Sequence, residues 1–203
     1  MSMKNCSICI FGASSNKIDR VYTDAAFETG RLIALSGRSL VFGAGTSGLM
    51  GAAARGCFSE GGRIIGVIPE KLNKPGIYYE NCTEKLVTPT MHERKAAMES
   101  MSSGFIALAG GFGTIEELME VLTLKQLGYT DPAIVILNTN GYFDPLIRQL
   151  EKCVSEGFAA PDYLNLWYEA EDPKSAVEYC LSYRGGAVRD KLIDALAPAK
   201  NGD

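Results

Sequence analysis

Short β-rich runs alternate with longer helix-spaced segments along most of the chain, and three of the runs end in glycine-rich loops. Strands are predicted at 7–11, 39–42, 63–68, 104–108, 133–137 and 164–168. Between and after them, apolar residues recur at helical spacing over 19–36, 49–60, 91–101, 114–127, 145–156 and 174–181. The first helical segment shows the pattern, with Val21, Tyr22, Ala25, Ala26, Leu32, Ile33 and Leu35 before a closing Gly37. Such alternation predicts an α/β, Rossmann-like, doubly wound and mainly parallel sheet with helices on both faces. No repeat or linker divides the chain, so 1–183 reads as one domain and 184–203 as a mobile appendage. The least regular stretch, 70–84, carries Pro75, Gly76, Tyr78 and Tyr79 and reads as a surface loop.

Composition removes several classes of function. A net charge of −4 over 203 residues does not invite nucleic acid or an anionic membrane surface. No apolar stretch reaches the ~20 residues that span a bilayer. Cys6, Cys9, Cys57, Cys82, Cys153 and Cys180 are scattered, with no signal peptide before them, so free thiols in the cytoplasm are expected. Cys6 and Cys9 lie three apart in a strand and point to opposite faces, which excludes them as a metal pair. No metal site is expected.

The three loops are Gly12-Ala13-Ser14-Ser15-Asn16, Gly43-Ala44-Gly45-Thr46-Ser47-Gly48 and Gly110-Gly111-Phe112-Gly113-Thr114. In a parallel sheet all emerge at the carboxyl edge, where ligands bind. Each leads toward a helix start, whose unpaired N–H groups and dipole favour an anion. Gly43-x-Gly45-x-x-Gly48 matches the dinucleotide fingerprint but follows the second strand rather than the first, and a nicotinamide-binding oxidoreductase is one alternative. The Walker lysine pattern is absent. Glu116 and Glu117 are predicted in the first turn of the helix after the third loop. Arg94 and Lys95, in Met91-His92-Glu93-Arg94-Lys95, open another helix, where cations oppose the dipole. His92 is the lone histidine.

Met91-His92-Glu93-Arg94-Lys95 and Gly110-Gly111-Phe112-Gly113-Thr114-Ile115-Glu116-Glu117 closely resemble the paired signatures of the LOG family, the cytokinin riboside 5′-monophosphate phosphoribohydrolases long labelled lysine decarboxylases. The likeness runs from about Ser7 to Leu181, through Gly48-Leu49-Met50-Gly51, Gly66-Val67-Ile68-Pro69 and Leu124-Lys125-Gln126-Leu127-Gly128. The resemblance implies hydrolysis of a purine nucleoside 5′-monophosphate, AMP or an N6-modified relative, to free base and ribose 5-phosphate by a homodimer with no cofactor. It puts Arg94 and Glu117 at catalytic positions. Substrate-contacting positions fall to Lys95, Gly110, Gly111, Gly113, Thr114, Glu116 and Thr123, with Ser14, Gly45 and Met91 beside them. The chemistry suits these residues, because a carboxylate can stabilise an oxocarbenium-like ribose or activate water, and an arginine can hold phosphate or orient the acid.

Four positions depart from the family pattern. Ala109 replaces a proline, Ala44 a glycine whose loss turns a methyl toward any ligand, Ser103 an aspartate, and Gly76 an acid of the 70–84 loop. The last concerns the choice of base. A non-catalytic nucleotide or molybdenum-cofactor carrier of related fold is the competing class. A pyridoxal phosphate decarboxylase is not supported, as no lysine has the context of a Schiff-base residue.

Overall fold

The computed structural model describes residues 7–186. Its regular elements are β1 (Ser7–Phe11), α1 (Arg20–Leu35), β2 (Ser39–Phe42), α2 (Gly48–Ser59), β3 (Ile64–Pro69), β4 (Glu84–Thr88) and α3 (Met91–Met101). They continue with β5 (Gly104–Ala107), α4 (Phe112–Gln126), β6 (Ala133–Leu137), α5 (Asp144–Ser155), β7 (Tyr168–Ala170) and α6 (Pro173–Ser182). Among the described residues the strands form one sheet in the order β4-β3-β2-β1-β5-β6-β7, every pairing parallel. This is the Rossmann-like architecture expected. Strand order reverses between β1 and β5, so the crevice of this sheet opens above Phe11 and Ala107.

Sheet burial follows from covering both faces. β1, β3, β5 and β6 are buried at every residue and read as continuous apolar runs rather than alternating ones. One core cluster lies against α1, α2 and α6, with Ile8, Ile33, Leu40 and Val177; the other lies against α3, α4 and α5, with Val41, Met98, Leu118 and Ile147. Local signals set the helix ends. Asp19 caps α1 by accepting from the Val21 amide at 3.1 Å, and Gly37 closes it at φ 72°. Thr90 caps α3 by accepting from the Glu93 amide at 3.1 Å.

Three expectations need correction. β4 is a strand that the sequence reading lacked, because it is an edge strand paired only to β3 and largely solvent-facing, with Glu84 and Lys85 in place of an apolar pattern. The segment at 164–168 is not a strand: a 3₁₀ helix occupies Pro161–Asn165, and the strand comes later, at Tyr168–Ala170. α4 starts at Phe112, two residues earlier than expected, which moves Glu116 and Glu117 from its first turn to its second. Most of the expected appendage, 187–203, lies outside the described residues. No described helix is long and apolar enough to cross a membrane.

Candidate active site

The three glycine-rich loops do emerge at one edge, but they are not equivalent. The amino end of α2 is already filled. Ala13 O accepts from the Leu49 amide at 2.8 Å, Asn16 Oδ1 from the Gly48 amide at 2.8 Å, and the Ser14 carbonyl from the Ser47 hydroxyl at 2.8 Å. The first loop therefore caps the helix of the second, and neither presents an open helix start. Ser14 and Gly45 belong to this capping arrangement, and α1 begins only after Asp19.

α4 differs. Its cap residue is Gly111, which makes no side-chain cap hydrogen bond, and a Cβ built on Gly111 or Gly113 meets nothing within 4 Å. The loop is braced from behind: the Tyr142 hydroxyl donates to Gly110 O at 2.7 Å, and the Ala13 amide donates to Ala109 O at 3.1 Å. At Gly110 a Cβ would fall 2.1 Å from Thr114 Oγ1, so only glycine lets the buried threonine close the turn. The result is a braced helix start with open space beside Gly111 and Gly113, and helix starts of this kind favour an anion.

Beside this opening stands a buried ion pair. Arg94, on the first turn of α3, is 8% exposed, and its Nη1 donates to Glu117 Oε1 at 2.7 Å. Its Nε donates to the Val67 carbonyl at 3.2 Å, and Met91 Sδ lies 3.5 Å from Nη1. A Cβ on Gly43 would sit 2.0 Å from the guanidinium, so the end of β2 must lack a side chain for Arg94 to reach across. Burial pushes the Glu117 carboxyl above its usual range, and the neighbouring Arg94 opposes that shift without cancelling it. Lys95 is held by Glu116 and by Glu120, the latter at 2.9 Å. The cations that oppose the α3 dipole are thus stabilised by carboxylates of α4.

Most of the residues expected at the site meet here: Met91, Arg94, Lys95, Glu116, Glu117 and the loop from Gly110 to Thr114. Thr123 does not join them. It lies farther along α4, donates its hydroxyl to Met119 O at 2.7 Å, and lines a separate cavity of about 80 Å³ with Leu122, Cys153 and Trp167. His92 is exposed on α3. Glu120 and Gly43 were missed. Glu120 sits one turn beyond Glu116 and could have been paired with Lys95 on spacing, whereas the demand on Gly43 arises only from a contact distant in sequence.

The departures also find their places. The Ala44 methyl does not face a ligand: the residue is fully buried, with Cβ against Gly66, and holds φ at 59°. Its carbonyl accepts from the Tyr79 amide at 2.8 Å, and Gly45 bridges Tyr78, so the 70–84 loop is tethered to the second glycine-rich loop. Gly76 is exposed at φ 80°, a conformation that resists an acidic side chain. Ser103 is bonded to Ser7 O at the opposite edge of the sheet, away from the ion pair.

Fold and site together define a Rossmann-like α/β protein with an open, uncapped helix start and a buried Arg–Glu pair beside it. Residues 50–180 match a family model described as "Possible lysine decarboxylase". The chain is 39% identical over 176 residues to the probable cytokinin riboside 5′-monophosphate phosphoribohydrolase LOGL2 of Oryza sativa subsp. japonica, covering 87% of this chain and 72% of that one. It is 40% identical over 178 residues to the cytokinin riboside 5′-monophosphate phosphoribohydrolase LOG1 of Arabidopsis thaliana, covering 87% and 83%. Among solved structures, the molybdenum cofactor binding protein of Rippkaea orientalis superposes with a TM-score of 0.67 at 22% identity, over 87% of this chain and 96% of that one. The molybdenum cofactor carrier protein of Chlamydomonas reinhardtii gives 0.66 at 21%, over 88% and 99%, and at such identities the likeness concerns the fold. The chain belongs to the LOG family of cytokinin riboside 5′-monophosphate phosphoribohydrolases.

Proposed function

We propose that the protein hydrolyses the N-glycosidic bond of a purine nucleoside 5′-monophosphate, AMP or an N6-modified relative, releasing the base and ribose 5-phosphate. The observation that carries this reading is the buried Arg94–Glu117 pair placed one turn behind an open helix start. A phosphate on the first N–H groups of α4 leaves Glu117 five residues further on, roughly 7 Å along the axis. That is about the span from a 5′-phosphate to the anomeric carbon.

The bond breaks as positive charge builds on the ribose, and a carboxylate already fixed and partly desolvated stabilises that charge without reorganising. Arg94 holds Glu117 in place, and the same carboxylate can accept a proton from the attacking water. Glu116, more exposed than its partner Lys95, is available to ribose hydroxyls. Lys95 supports it rather than offering a free cation. Pyridoxal phosphate does not fit these residues: Lys95 is occupied by two carboxylates, and Lys125 is buried at the far end of α4 with its ammonium on Pro132 O at 2.8 Å.

The protein acts as a homodimer in the cytoplasm on this reading. The cavity containing Thr123, between α4 and α5 and lined by Met119, Leu122, Leu164 and Trp167, supplies an apolar face for a second copy. Size-exclusion chromatography with light scattering should give twice the chain mass, and a monomer would count against the dimer. The test of activity is chromatography of free base after incubation with AMP and N6-isopentenyl-AMP. Base released by the parent and not by Glu117→Gln supports the hydrolase; binding of AMP without release would favour a carrier.

A further inference from the structure

Tyr142 stands outside both core clusters and is 42% exposed, yet its hydroxyl is committed. It donates to Gly110 O at 2.7 Å, across 32 residues of chain. The turn that delivers it follows β6. That turn passes through Asn140 at φ 55° and Gly141 at φ 68°, and the Gly141 amide closes it by donating to Asn138 O at 3.1 Å. The Asn138 side chain fixes the turn from both ends. Its Oδ1 accepts from the Phe143 amide at 2.7 Å, and its Nδ2 donates to Asp144 Oδ1 and to Glu169 Oε1, each at 2.7 Å. The tyrosine ring lies edge-on to Phe143 and Tyr22, with centroids 5.1 and 5.8 Å away. Groups from the end of β6, from β7 and from α5 thus set one side chain against the third glycine-rich loop.

What the hydroxyl holds is the peptide between Gly110 and Gly111. This peptide is trans, so its N–H points opposite to its carbonyl. With the carbonyl turned onto Tyr142, the Gly111 amide is turned away from it, and among the described residues that amide donates to no protein group. The first amides of α4 come next in the chain, and they lack partners within the helix. A peptide between two glycines is easy to flip. The flip changes the ψ before it and the φ after it, and glycine accepts both outcomes. A flipped loop would offer an oxygen where it now offers a proton. We propose that Tyr142 is a positioning residue: its hydroxyl locks the Gly110–Gly111 peptide so that the Gly111 amide joins the first amides of α4 in binding phosphate. The proposal rests on the nucleotide reading above, and it places one requirement of the site on a side chain that touches no substrate.

The test titrates the intact, isotope-labelled protein with inorganic phosphate and with AMP, read by amide NMR and by calorimetry. The variant is Tyr142→Phe, which keeps the ring and removes the hydroxyl. In the parent, both ligands should shift the Gly111 amide together with those of Phe112 and Gly113. In Tyr142→Phe the Gly111 shift should be largely lost while Gly113 still moves. Affinity for both ligands should fall by the same factor, roughly tenfold, the worth of one hydrogen bond to a charged group. Tyr22→Phe, which removes a neighbouring hydroxyl, should bind both as the parent does. A merely structural role would lower the melting temperature of Tyr142→Phe and leave its Gly111 shift intact, and that result would overturn the proposal. So would an unchanged shift with unchanged affinity. A parent whose α4 amides respond to neither ligand would instead remove the phosphate site on which the nucleotide reading depends.

Discussion

Glu117 is held in conflict. Burial raises its carboxyl while Arg94 favours the charge, and the first effect is the larger. A carboxyl whose folded value is raised binds its proton more tightly in the native than in the unfolded state. Its contribution therefore favours the fold at acid pH and is lost as the pH rises through the folded value. At neutral pH the ionised group works against stability, and Glu117→Gln, which keeps an oxygen for Arg94, should melt no lower than the parent. Its turnover should fall by about 10²- to 10⁴-fold, the range for removing a proton-transferring group. The same raised carboxyl places the acid limb of kcat/KM above the ordinary glutamate value of about 4.3, read from a pH–rate profile. A variant that is less stable and still active would reverse both assignments.

Among the elements, α1 and α2 pack unusually closely. A Cβ on Gly30 would lie 1.9 Å from Ala53 O, and one on Gly56 would lie 1.9 Å from Phe27 O. Backbone cannot move aside as a side chain can, so Gly30→Ala should cost about 3 kcal/mol, the upper end of overpacking, in denaturant unfolding. Thr90→Ala removes the cap of α3 and should cost about 1 kcal/mol; because that helix carries Arg94, its activity should fall as well. The elements legible in the sequence were those whose signal is local, such as the buried runs of β1 and β6 or the Asp19 cap. β4 was hidden because an edge strand is specified by its partner, and its charged residues look like loop. Within the site, Arg94 and Glu117 were legible through their motifs. That Asn16 and Ala13 close α2, leaving α4 alone open among the three loops' helices, depends on a contact between loops more than thirty residues apart in the chain.

At the scale of the whole molecule, three glutamates pull stability in opposite directions on acidification. Glu99, like Glu117, is raised by burial, with the nearby charge of Glu120 adding to the shift. Glu28 is lowered by its hydrogen bond from Arg31, so its contribution is present above its unfolded value and fades as the pH falls. Acid titration of thermal stability should therefore show Glu99 and Glu117 partly compensating the loss at Glu28. The pair Glu99→Gln and Glu117→Gln should steepen the fall in melting temperature on acidification.

The glycines around the ion pair meet two separate demands. At Gly43 a methyl would push the guanidinium off Glu117 before any ligand arrived, so Gly43→Ala should appear as a stability loss through the broken buried ion pair. At Gly113 the same methyl would enter empty space, and the damage would appear only when a phosphate tried to fill it. A screen for protein abundance would count the first and overlook the second, while a screen for growth on the activity would count both. The difference between two such maps would outline the binding cradle without a ligand ever being seen in it.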